Sequence, residues 1–402
     1  MQLIAQLLIV IIVPGLLLHL SGVNLTASTV VYSTLSNSIS LIVARFVISK
    51  LVNYPTPITL ISIFPVVTTV FAVAFLTNFI FRIDYSRPTI LLGWAIALML
   101  LGLTQYRRSN KHQSTFMLVS NGEISTDLLP HEHNYIKLAT PSLPSEACDG
   151  VIADIEQLQT DIAWSKFLCE CTLNNIPVYD YPAVTELTTG RTVITKLSSA
   201  DFGRLHPDPI SIYTKRCLDL LLTTIALPFT LPVLAVAAIA INLESKGPVV
   251  FKQERVGYRG RSFTIYKLRT MVNDHGDKAL TRENDARITR LGNALRRYRI
   301  DELPQLLNVL RGDMSLIGPR PEQRELVEQY SSKIPFYDYR HVVRPGISGW
   351  AQINQGYVAD SSRDTKKKLE YDLFYIRHLS VWLDLVIIFR TVITIISKVG
   401  AR

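Results

Sequence analysis

Four apolar stretches crowd the first 103 residues, and they constrain the molecule more than any other feature: residues 3–20, 30–51, 58–81 and 89–103. A hydrocarbon core takes about 20 apolar residues as helix, and three of the stretches meet or approach that length. The second is weaker. It carries several serines with Arg45 inside it and reads either as a span or as a helix lying in the interface. The first lacks a basic leading region and a small-residue cleavage site, so it reads as an anchor and not as a removed signal. Arg107, Arg108 and Lys111 follow the fourth stretch, while Arg82 and Arg87, with Asp84 between them, lie on the other side. The larger basic group marks the cytoplasm and places everything after Arg107 there.

Composition agrees with a membrane protein: 48% of the 402 residues are hydrophobic and 19% are charged, the latter below the roughly 25% usual for soluble domains. The formal net charge of +9 fits anionic headgroups or phosphate substrates. No basic module interleaved with aromatics is present, which excludes nucleic acid as the expected partner. Cys148, Cys169, Cys171 and Cys217 form no CxxC pair and read as reduced cytosolic thiols.

Residues 114–207 change character. Short apolar runs at 116–119, 150–153 and 177–179 alternate with a helical stretch at 164–174, a pattern of a small α/β unit with a parallel sheet. Its first turn, Ser120-Asn121-Gly122-Glu123, has one glycine where a dinucleotide fold needs GxGxxG. The domain therefore reads as structural or regulatory, not NAD-binding. The expected organisation is an α/β membrane protein: a four-helix transmembrane bundle over 1–106, a Rossmann-like cytoplasmic accessory domain over 107–208, and a catalytic domain over 209–402.

A further apolar stretch, 218–243, follows Lys215, Arg216 and Asp219. By length it could cross the bilayer, which would carry the rest of the chain outside. Pro228 and Pro232 each remove a backbone donor and should bend the helix sharply. A broken helix over 213–243 that enters and leaves on one face meets both facts, with Lys215 and Arg216 then at headgroup depth beside lipid phosphate. The last apolar segment, 380–398, carries Asp384 and Arg390 and reads as an interfacial or domain-packing helix.

Between these lie four segments rich in Arg, Lys, Gly and carboxylates. The first runs from Phe251 through Arg255 to Lys267 and Arg269. The second is Arg299-Ile300-Asp301-Glu302-Leu303-Pro304-Gln305. The third runs from Gly312 to Gly318-Pro319-Arg320-Pro321. The fourth runs from Arg344-Pro345-Gly346 to Gln352 and Asn354. Phosphate chemistry of the transfer kind needs cations against the phosphate charge, a nucleophile able to reach phosphorus, and a divalent metal on one or two carboxylates. Arg255, Lys267, Arg269, Arg320 and Arg344 are candidate clamps. Of Asp301 and Glu302, one carboxylate could attack while the other holds metal or positions the first. Taken alone, an Asp-Glu pair is most often the first turn of a helix, and the scattered His275, His341 and His378 suit surface or core roles.

Taken in order, these segments and the Lys215-Arg216-x-x-Asp219 start resemble the bacterial sugar transferases, the polyprenyl-phosphate hexose-1-phosphate transferases. The resemblance covers Lys215 to the end; the four spans and α/β domain are similar in layout to long-chain members that start exopolysaccharide, capsule or O-antigen units. It implies that Asp301 is the nucleophile and Glu302 its dyad partner. It implies a UDP-sugar donor, with glucose and galactose the usual sugars, and a polyprenyl phosphate acceptor such as undecaprenyl phosphate. It further implies Mg2+ on Asp301 and Glu302, Arg320 as a phosphate-binding position, and supporting roles for Arg255, Lys267, Arg269 and Gln352. The helix break at Pro228 belongs to it too, although Leu227 stands where the family often has serine. The expected location is the bacterial inner membrane with the catalytic domain on the cytoplasmic face; the oligomer is open, a homodimer among the options. The rival readings are a one-step metal-dependent phosphotransferase and a non-catalytic scaffold or regulator of polysaccharide assembly.

Overall fold

The computed structural model describes residues 2–20, 27–51, 60–109, 114–119, 126–130, 133–142, 148–158, 160–194, 203, 205–272, 285, 287–355 and 362–397. The chain forms two compact units, 1–190 and 191–402.

In the first unit each apolar stretch forms one helix: α1 (Gln2–Leu20), α2 (Ala27–Leu51), α3 (Leu60–Ile80) and α4 (Arg87–Ser109). Residues 28–49 and 87–104 are long and apolar enough to cross a membrane, and 66–80 is a shorter apolar helix. The polar groups within the helices meet one another. Arg45 Nη1 donates to Gln6 Oε1 at 2.6 Å, Asn78 Nδ2 to Ser36 Oγ at 3.0 Å, and Asn37 Nδ2 to the Thr89 carbonyl at 3.0 Å. Such bonds satisfy side chains that lipid could not. They explain how α2 tolerates Arg45.

After α4 comes a four-stranded, wholly parallel sheet: β1 (Thr115–Val119), β2 (Asn134–Lys137), β3 (Gly150–Ala153) and β4 (Val178–Asp180), in the order β2-β1-β3-β4. Helices α5 (Ile155–Leu158), α6 (Ile162–Leu173) and α7 (Tyr181–Thr189) connect or follow the strands. Trp164, Phe167 and Cys171 of α6 pack on Met117, Val119 and Val151, the alternate positions of one sheet face. The turn at 120–123 lies outside the described residues. All four cysteines are free thiols.

The second unit opens with α8 (Pro209–Glu244), 36 residues capped by Asp208, whose carboxylate accepts from Ser211 N. Its buried positions fall into two groups, Lys215, Asp219 and Thr223 near the start and Ala237 and Ile241 near the end. Between them, residues 224–236 contain no buried side chain, and Phe229 stands 75% exposed. An apolar surface of that extent standing bare is what bilayer burial requires. Pro228 and Pro232 stand inside one continuous helix that ends at neither, and they remain the positions where it can bend. Both ends are nevertheless fastened to the same unit. At the start, Asp219 accepts from Ser315 Oγ at 2.7 Å and Leu316 N at 3.1 Å. At the end, Ala237 and Ile241 pack with Leu268 and Leu295.

The rest of the unit comprises the antiparallel hairpin β5 (Val250–Val256) and β6 (Ser262–Leu268), α9 (Arg290–Arg297), a 3-10 segment Ile300–Gln305, and α10 (Leu306–Arg311). It continues with β7 (Ser315–Ile317), α11 (Arg324–Ser331), β8 (Gly346–Ser348), α12 (Trp350–Gln355), α13 (Ser362–Arg377) and α14 (Val381–Ser397). The charges of α14 have partners within the unit. Asp384 takes Lys215 Nζ at 2.7 Å and the Tyr375 hydroxyl at 2.8 Å, while Arg390 donates to Asn354 Oδ1 at 3.2 Å and faces the Trp350 ring. The helix is therefore packed on the domain, as its charges suggested.

Candidate active site

The chain enters the dyad through a backbone that few side chains adopt. Arg299, at φ 58°, is left-handed, a conformation uncommon outside glycine. It ends the turn after α9 and starts the 3-10 segment whose first turn holds Asp301 and Glu302, both buried. Pro304 follows in the same short segment. Adjacent side chains of a 3-10 turn point about 120° apart, so both carboxylates are buried because the short segment is covered on more than one side, with α9, β6 and α10 around it.

Glu302 is held from three sides. Its Oε1 takes Arg320 Nη2 at 2.8 Å and Lys267 Nζ at 3.3 Å, with Arg299 Nη1 at 3.8 Å. Burial acts to raise its pKa, but Arg320 and Lys267 outweigh that and hold the carboxyl well below the usual range. Asp301 is the opposite case. Burial first, and the neighbouring Glu302 charge second, push its pKa up to about 6. Its Oδ1 is buried with no hydrogen-bond partner among the described residues. Two neighbouring carboxylates thus have different states: one fixed as a structural anion, the other less shielded by partners and with an open oxygen.

The cations come from separate elements. Lys267 lies on β6, where burial, followed by nearby Arg320, lowers its pKa. Arg296 closes α9 with its Nε on Thr270 Oγ1 at 2.8 Å, and its charge acts on Asp301. Arg255, on β5, is oriented by Gln253 Oε1 (Nη2 at 2.7 Å) and by Glu322 at 3.8 Å. Arg320 follows β7, and its position depends on glycines. A Cβ on Gly346 would stand 2.0 Å from Gly318 N, and one on Gly318 would stand 2.4 Å from the Arg344 carbonyl. The third and fourth motif segments can abut only because these positions lack side chains. Arg340 fixes the next link: it is buried against Asp372 at 2.9 Å and donates to the Arg320 carbonyl at 3.0 Å.

Glu322 braces this ring from behind. It pairs with Lys368 and Arg340 and faces Arg255. Burial works to raise its pKa, yet Lys368 and Arg340 bring it down to about 2. Arg296 and Arg340 were not singled out from sequence. Arg296 carried a signal, the Arg296-Arg297-x-Arg299 run just before the dyad; Arg340 carried none.

Other expected site residues are used elsewhere. Arg269 is not free to clamp phosphate through Nη2, which donates to the Ser245 carbonyl at 2.6 Å and its hydroxyl at 3.0 Å, closing the end of α8. Lys215 does not reach a headgroup: it is buried in the Asp384 pair. Arg216 donates to the carbonyls of Val309 at 2.6 Å and Leu310 at 3.1 Å. These donors find oxygen partners inside the protein, which removes the reason to snorkel. Arg344 binds the Gly312 carbonyl through Nε at 3.0 Å, and Gln352 Nε2 reaches the Ile347 carbonyl at 3.4 Å. Among the described residues neither touches the dyad.

A buried, undercompensated carboxylate inside a ring of cations can attack an electrophilic phosphorus, because the ring neutralises the phosphate charge that would otherwise repel it. Comparison with known proteins shows the family. The bacterial sugar transferase family matches residues 210–398. Over 370 residues the chain is 40% identical to a UDP-N-acetylgalactosamine-undecaprenyl-phosphate N-acetylgalactosaminephosphotransferase of Aeromonas hydrophila, covering 90% of this chain and 86% of that protein. It is 47% identical over 182 residues to a UDP-glucose:undecaprenyl-phosphate glucose-1-phosphate transferase of Escherichia coli K12, covering 44% of this chain and 39% of the relative. A Caulobacter vibrioides protein of the same glucose-1-phosphate transferase description is 44% identical over 190 residues, covering 46% of this chain and 71% of that protein.

Proposed function

Because the chain belongs to the bacterial sugar transferase family, we propose that it transfers a hexose 1-phosphate from a UDP-sugar to undecaprenyl phosphate, through a phosphosugar held on Asp301. The observation that carries this reading is the buried Asp301, its Oδ1 without a partner, beside a Glu302 already neutralised by Arg320 and Lys267. The Asp301 carboxylate attacks the sugar-linked phosphorus, and the bond to UMP breaks with its electron pair leaving on UMP. A phosphate oxygen of the lipid then attacks the same phosphorus. The aspartyl bond breaks, the carboxylate is restored, and a lipid diphosphate sugar departs. Arg320, Lys267, Arg255 and Arg296 hold the equatorial charge through both steps. A covalent relay lets one site serve a soluble donor and a bilayer acceptor in turn. Such a product would begin an exopolysaccharide, capsule or O-antigen repeat unit.

Mg2+ fits this site in a limited sense. Asp301 Oδ1 is an open carboxylate oxygen, and Mg2+ takes one or two carboxylates with substrate phosphates and water. Glu302 Oε1 already faces three cations, so Asp301 is the stronger ligand of the two. Among the described residues no group of three His, Cys, Asp or Glu side chains could hold a metal unaided. The ion would supply neutralisation of the donor diphosphate.

The same reading arranges α1 to α4 as a transmembrane bundle in the inner membrane, with the α/β unit, Rossmann-like in its parallel order, on the cytoplasmic side. The catalytic part, 209–402, would sit on that face with α8 re-entrant: both its ends are fastened to one unit while residues 224–236 stand bare. The relative matched across most of the chain is named for N-acetylgalactosamine, so UDP-N-acetylgalactosamine joins UDP-glucose and UDP-galactose as a donor to test. UMP release by the purified protein over that panel, with undecaprenyl phosphate present, tests the function; no UMP from any donor rejects it.

A further inference from the structure

A cavity of about 980 Å3 lies at the foot of α8, and neither Asp301 nor Glu302 lines it. Its volume is that of a site for a ligand of nucleotide size. Four arginines face it: Arg216, Arg259, Arg324 and Arg344. Among the described residues none of the four has an acidic partner within 4 Å, unlike Arg255, Arg320 and Arg340 of the neighbouring network. Glu328 and Asp338 also line it, and Asp338 Oδ1 already accepts from Ser331 Oγ at 2.7 Å. With four guanidiniums against two carboxylates, the cavity has an excess of positive charge that an anion would balance.

The shape of the excess is specific. The Tyr258 ring carries the Arg344 guanidinium at 5.2 Å and the Arg259 guanidinium at 5.0 Å. Arg259 reaches this place by a left-handed backbone, φ 56°, which a side chain other than glycine rarely takes. Pro207, Ile212, Val256 and Val342 supply apolar wall. His341 adds a polar group whose Nε2 is buried without a partner among the described residues. Burial, then the charge of Arg340, lowers its pKa to about 4, so at neutral pH it offers a hydrogen bond and no charge. Planar aromatic and guanidinium surfaces, cations and an uncharged hydrogen-bonding group match a nucleoside carrying phosphate.

We propose that this cavity seats the nucleoside and proximal phosphate of the UDP-sugar donor. The proposal rests on the transferase reading above and extends it to the donor's recognition. Val256 lines the cavity, and the next residue back along β5, Arg255, points to the opposite face of the strand and feels Glu322, Arg320 and Glu302, so the end of β5 stands between cavity and cationic ring. A soluble ligand suits the place. This start of α8 is anchored in the unit through the buried Lys215 and Asp219, ahead of the bare apolar run.

The test uses the full-length protein in nanodiscs. UMP binding is measured by calorimetry for the wild type, Tyr258→Ala, Arg344→Gln and the solvent-exposed Arg259→Gln, with melting temperature as the control for folding. Tyr258→Ala and Arg344→Gln should each weaken UMP about tenfold, and Arg259→Gln less. In turnover they should raise the KM for UDP-sugar and leave that for undecaprenyl phosphate unchanged. Unaltered UMP affinity in all folded variants overturns the proposal. So does a rise confined to the lipid KM, which would make the cavity a lipid-phosphate site. UMP binding needs no catalysis, so a wild type that binds UMP in the cavity yet releases none from any donor would sink the transferase reading and leave the cavity assignment standing.

Discussion

At the scale of single residues, the account turns on the unequal treatment of two adjacent carboxylates. Asp301 must be ionised to attack, and its pKa is raised to about 6, so UMP release should fall as pH drops through that value. Glu302→Gln removes the negative neighbour that helps raise Asp301. The acid limb should then move to lower pH, while the rate drops because Arg320, Lys267 and Arg299 lose their counter-charge. A pH–rate profile of the two proteins checks both signs; an unmoved limb would mean that another group titrates. The residue chemistry here was legible because Arg299 to Gln305 gathers nucleophile, partner and cation in one short run. The protein contacts of Arg269 and Lys215 were not legible. Their partners, Ser245 and Asp384, lie 24 and 169 residues away in the chain, and local context cannot reveal such a meeting.

At the scale of elements, α8 depends on polar fastenings at its ends. The Lys215–Asp384 pair is buried on both sides. Removing one partner leaves an uncompensated buried charge, so Lys215→Met should destabilise the catalytic unit by about 3–5 kcal/mol. Lys215→Met combined with Asp384→Leu should recover much of the loss, because no charge is then stranded. Thermal melting of the purified proteins separates the cases; equal melting of single and double variants would remove the pair from the anchoring of α8. The four N-terminal helices and the alternating strand–helix pattern were readable from apolar run length and spacing. The continuity of α8 through Pro228 and Pro232 was not, since each proline's local penalty can be offset by packing at both ends of the helix, which only the tertiary structure displays.

For the whole molecule, the arrangement predicts that everything after α4 shares one side of the membrane. A tag at the C-terminus should be reached by reagents in the cytosol and not by those confined to the periplasm; periplasmic labelling would make α8 a true span and exclude the re-entrant arrangement. The central claim is covalent chemistry at one acid. Purified protein incubated with its UDP-sugar and no lipid acceptor should gain the mass of that donor's sugar phosphate, located by peptide mass analysis at Asp301 and discharged when undecaprenyl phosphate is added. Full turnover with no such adduct, or turnover retained by Asp301→Asn, would contradict it.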